Sequence, residues 1–499
     1  MITASKLFNY LQCNHKVWRD EYGPQEEKIK EINPFVELLW NKGVAHEKQI
    51  VGELGDYLDL SQGSLEEREQ QTTAAINDKV PMIYQGVISA DDLLGIPDLL
   101  VLEQDVYCPV DIKSGMGMEG VSHADREEGR PKKNYAVQLA VYLDILIRNR
   151  ITDRRIAYII DKHGHRVAYD LNSIANKKTD TTYWDLYQDC LADVRQLVSG
   201  GAINDPALSS VCKLCNWYYS CKTWAEDTQD LTKLYRCGRS VRDTLSADTG
   251  VKTVTDLIDL SIEDQLSKKK ENSDHLKGVG EKTLKSLQLR AKLMHEQRSP
   301  VLHKDIVLPK VAYELFFDIE DDPTQEFVYM HGIYVRTSEQ EYFMDFTAKE
   351  ISADAEKKAW MDFWEYIRSL PSGDYAVYYY SHHEKTTYLK MQKKYPQVIT
   401  EAEVLDFFDD SNVIDLFRLI DSHTDWPVGS YSLKDLAVYL GFEWRDTSPS
   451  GALSIKWFNE YIDSQDTDIL TRILEYNEDD CKATMVLKDG LQNLIDQRS

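Results

Sequence analysis

The sequence predicts an α/β chain built from several domains. Residues 1–225 and 310–499 each mix short, apolar, strand-like runs with longer segments of helical periodicity. Residues 226–300, which lie between them, are helical in pattern, polar and rich in lysine, and we expect a small helical connector there. A chain of 499 residues has room for about two to four domains, each with a core of its own.

Strand-like runs in the first domain are Met82–Ile88, Leu99–Glu103 and Val106–Lys113, followed by a helix around Ala136–Asn149 and a strand at Arg155–Ile160. In the last domain the strands come first, and helices fall later. This order is typical of a mixed sheet with helices packed on it. The expected strands are Tyr313–Glu320, Phe327–Val335, Glu341–Phe346 and Tyr375–Tyr380.

Composition limits the class of protein. A hydrophobic content of 42% with 28% charged residues describes a soluble globular chain. No apolar run of about 18 residues and no leader is present, so we expect a cytoplasmic protein without a membrane partner. The formal charge of −26 opposes nucleic-acid binding in total. Locally, basic stretches can still attract a nucleic acid despite this total: Arg126–Lys133, Arg148–Arg155, Lys268–Lys270 and Lys277–Arg298. Acidic groups also hold the divalent cations that a nuclease needs. The alternative is that the excess acidic residues only form a solvated surface.

Eight cysteines are too few for a disulfide scaffold in a chain of this length. Cys212, Cys215 and Cys221 are closely spaced, and Cys13 stands alone near the start. This arrangement predicts a metal or iron–sulfur centre that joins the two ends of the first domain. By spacing alone zinc fits four thiolates equally well. We expect Cys108, Cys190, Cys237 and Cys481 to be ordinary buried thiols, with Cys237 as the rival ligand.

Three residues between these cysteines have the chemistry of phosphodiester hydrolysis. Asp111 and Lys113 end a predicted strand and share one face, because strand side chains alternate. Asp98 lies upstream and can join Asp111 on a divalent metal, while Lys113 orients or deprotonates water and neutralises charge on phosphate. The alternative for a bare Asp-x-Lys is a surface ion pair.

Further residues extend this pattern. Gln138 and Tyr142 share one helix face, and His46 could add a metal ligand. With Asp98, Asp111-x-Lys113 and the four cysteines, this ordered set resembles the RecB-type PD-(D/E)XK exonucleases. It is most similar to their iron–sulfur branch, which includes the CRISPR-adaptation exonucleases and the AddB nuclease domain. The resemblance covers residues 1–225.

The resemblance implies a restriction-endonuclease-like fold with a structural [4Fe–4S] cluster on Cys13, Cys212, Cys215 and Cys221. It also implies that Asp98 and Asp111, helped by His46, bind Mg²⁺ or Mn²⁺. Lys113 would activate water, and Gln138 with Tyr142 would orient the DNA strand or the lysine.

The connector contains Leu276–Leu284, which resembles the hairpin of a helix-hairpin-helix motif. Gly278 and Gly280 permit a tight turn, and the N–H groups of the following helix can bind phosphate without reading sequence. Lys277 and Lys282 would assist this contact. The alternative is a plain connector between helices.

A second acidic site is predicted in the last domain. Asp318 and Glu320 share one face of an apolar strand, and Tyr476 lies beside Asp480 on a helix. These pairs resemble the ribonuclease H-like DnaQ (DEDD) 3′–5′ exonucleases, which implies two metals held by four carboxylates and a phenol that aligns water.

The remaining carboxylate departs from that family's pattern, because no Asn-x2-(Phe/Tyr)-Asp follows Tyr375–Tyr380. Position favours Glu384 as the fourth carboxylate, and Asp415 is the competitor. We expect the neighbouring acids to form solvated surface: Asp321, Asp322, Glu478 and Asp479.

Together the two halves resemble RecB-like nucleases that carry a C-terminal ribonuclease H-like domain. The resemblance implies a metal-dependent deoxyribonuclease, an exonuclease acting on single-stranded or free-ended DNA. Two alternatives stay open: activity in the C-terminal domain alone, on DNA or RNA, and a non-catalytic nucleic-acid adaptor. A protein partner such as a helicase stays open as well.

Overall fold

The computed structural model describes residues 1–31, 33–120 and 129–498. The start of the basic stretch Arg126–Lys133 therefore lies outside the described residues. The chain divides into two compact units, each described by itself. Unit 1 comprises Met1–Pro206 and Ser210–Cys221, and unit 2 comprises Ala207–Ser209 and Lys222–Ser499. None of the described helices is both long enough and apolar enough to span a membrane.

Unit 1 begins with a short strand and three helices and continues as a mixture of strands and helices; its last helix, α7, also includes the first residues of unit 2. The elements are β1 (Ile2–Thr3), α1 (Ala4–Gln12), α2 (Asn14–Tyr22), α3 (Pro34–Glu53), β2 (Leu58–Asp59), α4 (Leu65–Asn77), β3 (Met82–Tyr84), β4 (Ile88–Ala90), β5 (Leu93–Gly95), β6 (Leu99–Glu103), β7 (Val106–Ile112), β8 (Met118–Glu119), β9 (Arg130–Pro131), α5 (Lys133–Arg148), β10 (Ile156–Ile160), β11 (Arg166–Asp170), β12 (Ile174–Asn176), β13 (Thr181–Thr182), α6 (Tyr183–Val198) and α7 (Tyr218–Asp227).

The main sheet of unit 1 has the strand order β11-β10-β7-β6-β3-β2. Strand β7 is central, antiparallel to β6 and parallel to β10, and it is buried along nearly its whole length. Helix α5 buries an almost continuous apolar run, Ala136–Leu146, in the core beside this sheet. The end of β7 is thereby fixed from both sides.

The prediction of one continuous strand over Met82–Ile88 is wrong. The structure divides it into β3 and β4, because Gln85 adopts a left-handed backbone conformation with φ of 55°. A left-handed residue other than glycine interrupts a ladder and is often found near functional sites.

Unit 2 opens with helices, continues with a sheet and ends on a long helix. Its elements are α8 (Arg239–Thr249), α9 (Val254–Asp259), α10 (Ile262–Glu271), α11 (Glu281–His295), β14 (Val301–Leu302), β15 (Tyr313–Asp322), β16 (Phe327–Arg336), β17 (Glu341–Thr347), α12 (Ala353–Ser369), β18 (Tyr375–Tyr379), α13 (His383–Lys394), α14 (Glu401–Asp409), β19 (Val413–Asp415), α15 (Leu416–His423), β20 (Thr424–Asp425), α16 (Leu433–Tyr439), α17 (Gly451–Ser464) and α18 (Thr467–Arg498).

Helices α8 to α11 share a small apolar core of their own. A buried ion pair ties them to the rest of unit 2, with Nε of Arg290 2.5 Å from Oδ1 of Asp425. His303 contacts the other oxygen of Asp425 at 2.6 Å. Since breaking a buried pair leaves an uncompensated charge, this contact fixes the helical segment against β20.

The sheet of unit 2 has the order β17-β16-β15-β18-β19. Strands β17, β16 and β15 are antiparallel neighbours, while β15, β18 and β19 run parallel. The alternation along β15 places Leu315 and Phe317 in the core with α12, and Phe316 in the core with α18. Asp318 and Glu320 have the parity of Phe316, so they lie on the α18 side. The prediction of a mixed α/β sheet is confirmed.

Candidate active sites

The first predicted site forms where β7 ends. Nζ of Lys113 lies 2.9 Å from Oδ2 of Asp111, and the backbone N–H of Asp98 lies 3.5 Å from Oδ1 of Asp111. The N–H of Ile112 donates to Oδ2 of Asp98 at 2.6 Å. The structure thus brings the two carboxylates and the lysine together.

Charge and burial shift the pKa values of Asp98 and Lys113. Burial and repulsion from Asp111 raise the pKa of Asp98 to about 8, although Lys113 opposes the shift. Burial lowers the pKa of Lys113, but the attraction of Asp111 and Asp98 outweighs it and raises that pKa to about 12. Without metal the lysine is therefore charged at neutral pH, which suits it to neutralise phosphate charge rather than accept a proton.

Gln138 and Tyr142 lie on α5, as the spacing predicts. Tyr142 is buried, and its ring packs so closely on Gly95 that a methyl group there would lie 2.7 Å from Cδ1. Burial raises the pKa of Tyr142 well above its usual value, and the charges of Asp111 and Asp98 add to the shift. Tyr142 therefore lies near enough to the carboxylate pair to interact with it electrostatically.

His46 does not join the two carboxylates in a compact ligand group. Its Nε2 atom lies 3.1 Å from the backbone oxygen of Asp161. Among the described residues, no set of three ligand atoms within 4.8 Å includes His46, Asp98 or Asp111.

The neighbouring residue, Glu47, was not predicted and does reach this site. Its Oε1 atom accepts from the Tyr84 hydroxyl at 2.9 Å and from Nε2 of Gln85 at 2.8 Å. The same amide nitrogen lies 3.2 Å from Oδ1 of Asp98. No sequence motif predicted Glu47 or Gln85. The left-handed backbone that orients Gln85 toward this site is seen only in the folded structure.

The four cysteines of the predicted cluster lie close enough to influence one another. Burial raises the pKa of Cys221 to about 12, and repulsion from Cys215, Cys13 and Cys212 contributes to the shift. Cys13 ends α1 and begins α2. Within the described chain, no three of these sulfur atoms lie within 4.8 Å of one another. The other four cysteines, Cys108, Cys190, Cys237 and Cys481, are buried.

Helix α2 packs against the cysteine-bearing segment through Trp217. The Arg19 guanidinium lies over the Trp217 ring at 4.4 Å, and the indole N–H donates to Oδ1 of Asp20 at 2.9 Å. The N-terminal helices and the last segment of unit 1 are therefore joined at this point, independently of any cofactor.

The second predicted site has the more compact ligand set. Asp318, Glu320 and Asp480 each offer a carboxylate oxygen, and the three atoms lie within 4.8 Å of one another. In the described parts of the chain this is the one group of three or more such ligands. Carboxylate oxygens suit hard cations such as Mg²⁺ and Mn²⁺, so the donors fit the metal that the sequence predicts.

Burial raises the pKa of all three carboxylates, and repulsion from Asp480 adds to the shift of the other two. Burial, followed by repulsion from Asp480 and Glu320, raises the pKa of Asp318 well above its usual value. Burial and Asp480 raise the pKa of Glu320 to about 8. Such a cluster favours binding of a cation, which replaces repulsion with attraction.

Helix α18 supplies Asp480 and two more residues. Tyr476, one turn earlier, is buried and donates a hydrogen bond to Asp480. Asn477, which was not predicted, donates from Nδ2 to Oδ2 of Asp318 at 2.8 Å and lies 3.5 Å from Oε1 of Glu320. One amide thus holds the two strand carboxylates in place.

Glu384 begins α13 directly after β18, as expected from its position. It is buried, and its charge adds to the raised pKa of Asp318, although it lies outside the compact group of three. Its competitor, Asp415, caps α15, where its Oδ1 atom accepts from the N–H of Arg418 at 3.1 Å. That hydrogen bond gives Asp415 a structural role.

The expectation that the acidic neighbours form solvated surface is wrong for two of them. Asp322 is fully buried, and its carboxylate accepts from Nε2 of Gln325 at 2.8 Å. Asp479 is buried and accepts from both the backbone N–H and Nε of Arg445. Arg445, which is distant in the chain, satisfies Asp479, whereas Asp322 is satisfied within its own turn by Gln325. The local acidity alone did not predict the burial of either residue. Asp321 and Glu478 are half-buried.

Two further residues at this site come from the α16 region and had no sequence signal. Nζ of Lys434 donates to the phenol oxygen of Tyr476 at 3.2 Å, and the indole N–H of Trp444 donates to Oδ1 of Asp480 at 2.7 Å.

The glycine hairpin lies between α10 and α11. Gly278 has φ of +81°, a conformation that favours glycine, and Gly280 is the N-cap of α11 without a side-chain cap. Lys277 and Lys282 are exposed, and Lys277 pairs with Asp274 at 3.1 Å.

Comparison with known proteins bears on unit 2. The family model described as the RNase_H superfamily matches residues 315–492, a range that includes Asp318, Glu320, Glu384, Tyr476 and Asp480. No curated protein matches the chain. The sheet of unit 2 and helix α18 therefore belong to an RNase H-like domain, which suggests a nuclease-type activity on a nucleic-acid substrate.

Proposed function

We propose that the protein is a metal-dependent nuclease that hydrolyses DNA phosphodiester bonds as an exonuclease on single-stranded or free-ended DNA. One observation carries this proposal: the carboxylate oxygens of Asp318, Glu320 and Asp480 lie within 4.8 Å of one another in a domain that matches the RNase_H superfamily. Phosphoryl-transfer sites commonly use such acidic groups to hold metal ions.

In the second site, Asp318, Glu320 and Asp480 would hold Mg²⁺ or Mn²⁺, with Glu384 as the fourth carboxylate. Bound metal ions would stabilise charge on the attacking and leaving oxygens. Asn477 would keep the two strand carboxylates aligned, and Tyr476 would orient the attacking water from its position beside Asp480.

In the first site, Asp98 and Asp111 would bind the metal. Lys113 would move from Asp111 to the substrate phosphate, and Gln138 with Tyr142 would orient the strand or the lysine. His46 would have to leave the carbonyl oxygen of Asp161 to act as a ligand.

For the cysteines we propose a structural [4Fe–4S] cluster on Cys13, Cys212, Cys215 and Cys221. The early and late cysteines lie near one another in unit 1, since repulsion from Cys215, Cys13 and Cys212 acts on Cys221. Zinc would suit the same four thiolates and is the alternative to the cluster.

For the hairpin we propose a contact with the phosphate backbone. The N-terminus of α11 has no side-chain cap, so its first N–H groups can meet a phosphate. Lys277, Gly278, Gly280 and Lys282 would form this contact.

A second candidate is that only the RNase H-like domain is active, on DNA or RNA. The family match lies wholly in unit 2, and the compact ligand group lies there as well. The ion pair of Lys113 with Asp111 would then be part of a nucleic-acid loading surface.

Degradation of end-labelled single-stranded DNA in Mn²⁺ separates these candidates. We would compare the wild type with Lys113→Ala and Asp318→Ala, using Lys79→Ala and Asp345→Ala as exposed controls. A partial loss with each site variant supports two active sites. Loss with Lys113→Ala alone places the activity in the first site, and loss with Asp318→Ala alone supports the second candidate. No degradation by any form, with DNA or the matching RNA, would contradict a nuclease and indicate an adaptor.

A further inference from the structure

Lys434 places its ammonium beside the phenol of the second site, and no motif predicted it. It lies in the first turn of α16, and its Nζ atom donates to the Tyr476 hydroxyl at 3.2 Å and to the carbonyl oxygen of Pro449 at 2.5 Å. The ammonium also lies 5.0 Å from the centre of the Tyr476 ring and 5.9 Å from that of Trp444.

This position is unfavourable for a lysine by local criteria. The first turn of a helix carries the positive end of the helix dipole, which repels cations. Half-burial beside two aromatic rings removes part of the hydration of the ammonium. The compensating charge comes from the carboxylates of Asp480, Asp318 and Glu320, each of which lies near enough to interact electrostatically with Lys434.

The donor and acceptor roles at Tyr476 follow from the chemistry of the groups. An ammonium can only donate, so the phenol oxygen accepts from Lys434. The single phenolic proton is then directed elsewhere, and it is donated to Asp480. Trp444 donates to Oδ1 of the same carboxylate at 2.7 Å. With its oxygen accepting from Lys434, the phenol keeps its one O–H to donate to Asp480.

We propose that Lys434 is a positioning residue of the second site, which holds the phenol oxygen of Tyr476 and thereby aims its O–H at Asp480 and at the water that attacks there. This inference rests on the proposed nuclease function of that site. In a cluster of carboxylates the ammonium also repels metal ions, so it trades metal affinity for orientation of the phenol.

The structural alternative is that Lys434 only tethers the segment around Pro449. Under that alternative, removal of the amine would loosen the site and weaken metal binding. It would not depend on the hydroxyl of Tyr476. The two accounts therefore differ in a double-mutant cycle and in the sign of the change in metal affinity.

The cycle is measured on the full chain carrying Lys113→Ala, so that only the second site acts. Lys434→Met keeps an unbranched side chain against the rings, Tyr476→Phe removes the hydroxyl, and Lys456→Met is an exposed control. We expect kcat on single-stranded DNA to fall on the order of 10- to 100-fold in either variant, with little change in KM and no further fall in the double variant. Independent losses that multiply, or a change in KM alone, would overturn the inference.

Calorimetric titration with Mn²⁺ gives a readout that does not need activity. We expect Lys434→Met to bind Mn²⁺ more tightly than its Lys113→Ala parent, and Lys456→Met to bind equally. Weaker or unchanged binding in Lys434→Met would overturn the inference whatever the nuclease result. If the parent does not hydrolyse DNA or RNA while Lys434→Met still tightens Mn²⁺ binding, the proposed function fails, but the opposition of Lys434 to the metal site is supported.

Discussion

Asn477 occupies the space that a side chain at Gly332 would need. A methyl group at Gly332 would lie 1.6 Å from Oδ1 of Asn477 and 2.8 Å from its Cγ. Gly332 lies directly opposite Asp318 in the sheet, so its missing side chain lets the amide reach the metal-binding face. Cys481 contacts the same amide oxygen at 3.9 Å, which leaves Nδ2 to face the carboxylates.

Gly332→Ala should therefore displace Asn477 and disorder the second site. We expect a loss of about 1–3 kcal/mol in the free energy of unfolding, the usual cost of overpacking. In a Lys113→Ala background, nuclease activity should fall with it. Gly451→Ala, where a methyl group meets nothing within 4 Å, is the matched control. Urea denaturation measures the stability of both variants. If Gly332→Ala keeps wild-type stability and full activity, the role of Asn477 is contradicted.

Divalent metal should stabilise unit 2 through the three carboxylates. A ligand at 100 times its dissociation constant adds about 2.7 kcal/mol to the unfolding free energy. We expect Mn²⁺ to raise the Tm of the wild type and of Asp345→Ala. In Asp318→Ala, calorimetry should show most of this increase lost, and an equal increase would place the metal elsewhere.

Without metal, the buried carboxylates should make stability depend on pH. The pKa of Glu320 is raised to about 8 from a usual 4.5. Its contribution is fully present below about 4.5, where both states are protonated, and is lost as pH rises through about 8. The free energy of unfolding should therefore fall over this range, and should fall less in Glu320→Gln. Urea denaturation in chelator, repeated across this pH range, gives the free energy of unfolding of the wild type and of Glu320→Gln. If the wild type gains stability relative to Glu320→Gln as pH rises, the raised pKa of Glu320 is contradicted.

The proposed cluster predicts a brown protein that absorbs near about 400 nm. Cys221→Ser should lose iron and destabilise unit 1, because the proposed cluster would join α2 to the segment around Cys215. Cys190→Ser and Cys237→Ser remove buried thiols and should keep the iron. Metal analysis of the wild type and of these variants checks both expectations, and stoichiometric zinc in place of iron would contradict the cluster and support the zinc alternative.

Local periodicity predicted much of this molecule. The parity of Asp318 and Glu320 on β15 and the one-turn spacing of Tyr476 and Asp480 on α18 needed no tertiary information. The mixed sheet of unit 2 followed from the order of its apolar strands. These features depend on residues a few positions apart, and the geometry of a strand or helix determines which of those residues share a face.

The remaining residues could not be predicted because other segments give them their roles. Lys434 and Trp444 reach Tyr476 and Asp480 across roughly 40 residues of chain. Gln85 turns toward Asp98 through a left-handed backbone that interrupts a predicted strand. Glu47 and His46 are neighbours on α3, and only the fold shows which of the two side chains contacts Gln85 and which contacts Asp161.

The most direct test of the metal-dependent second site is hydrolysis of end-labelled single-stranded DNA by Lys113→Ala protein as Mn²⁺ is titrated. We predict that nucleotide release requires the metal, saturates with it and disappears in Lys113→Ala/Asp318→Ala, while Lys113→Ala/Asp345→Ala behaves like the parent. Hydrolysis that needs no divalent metal, or that persists when Asp318 is removed, would contradict the account.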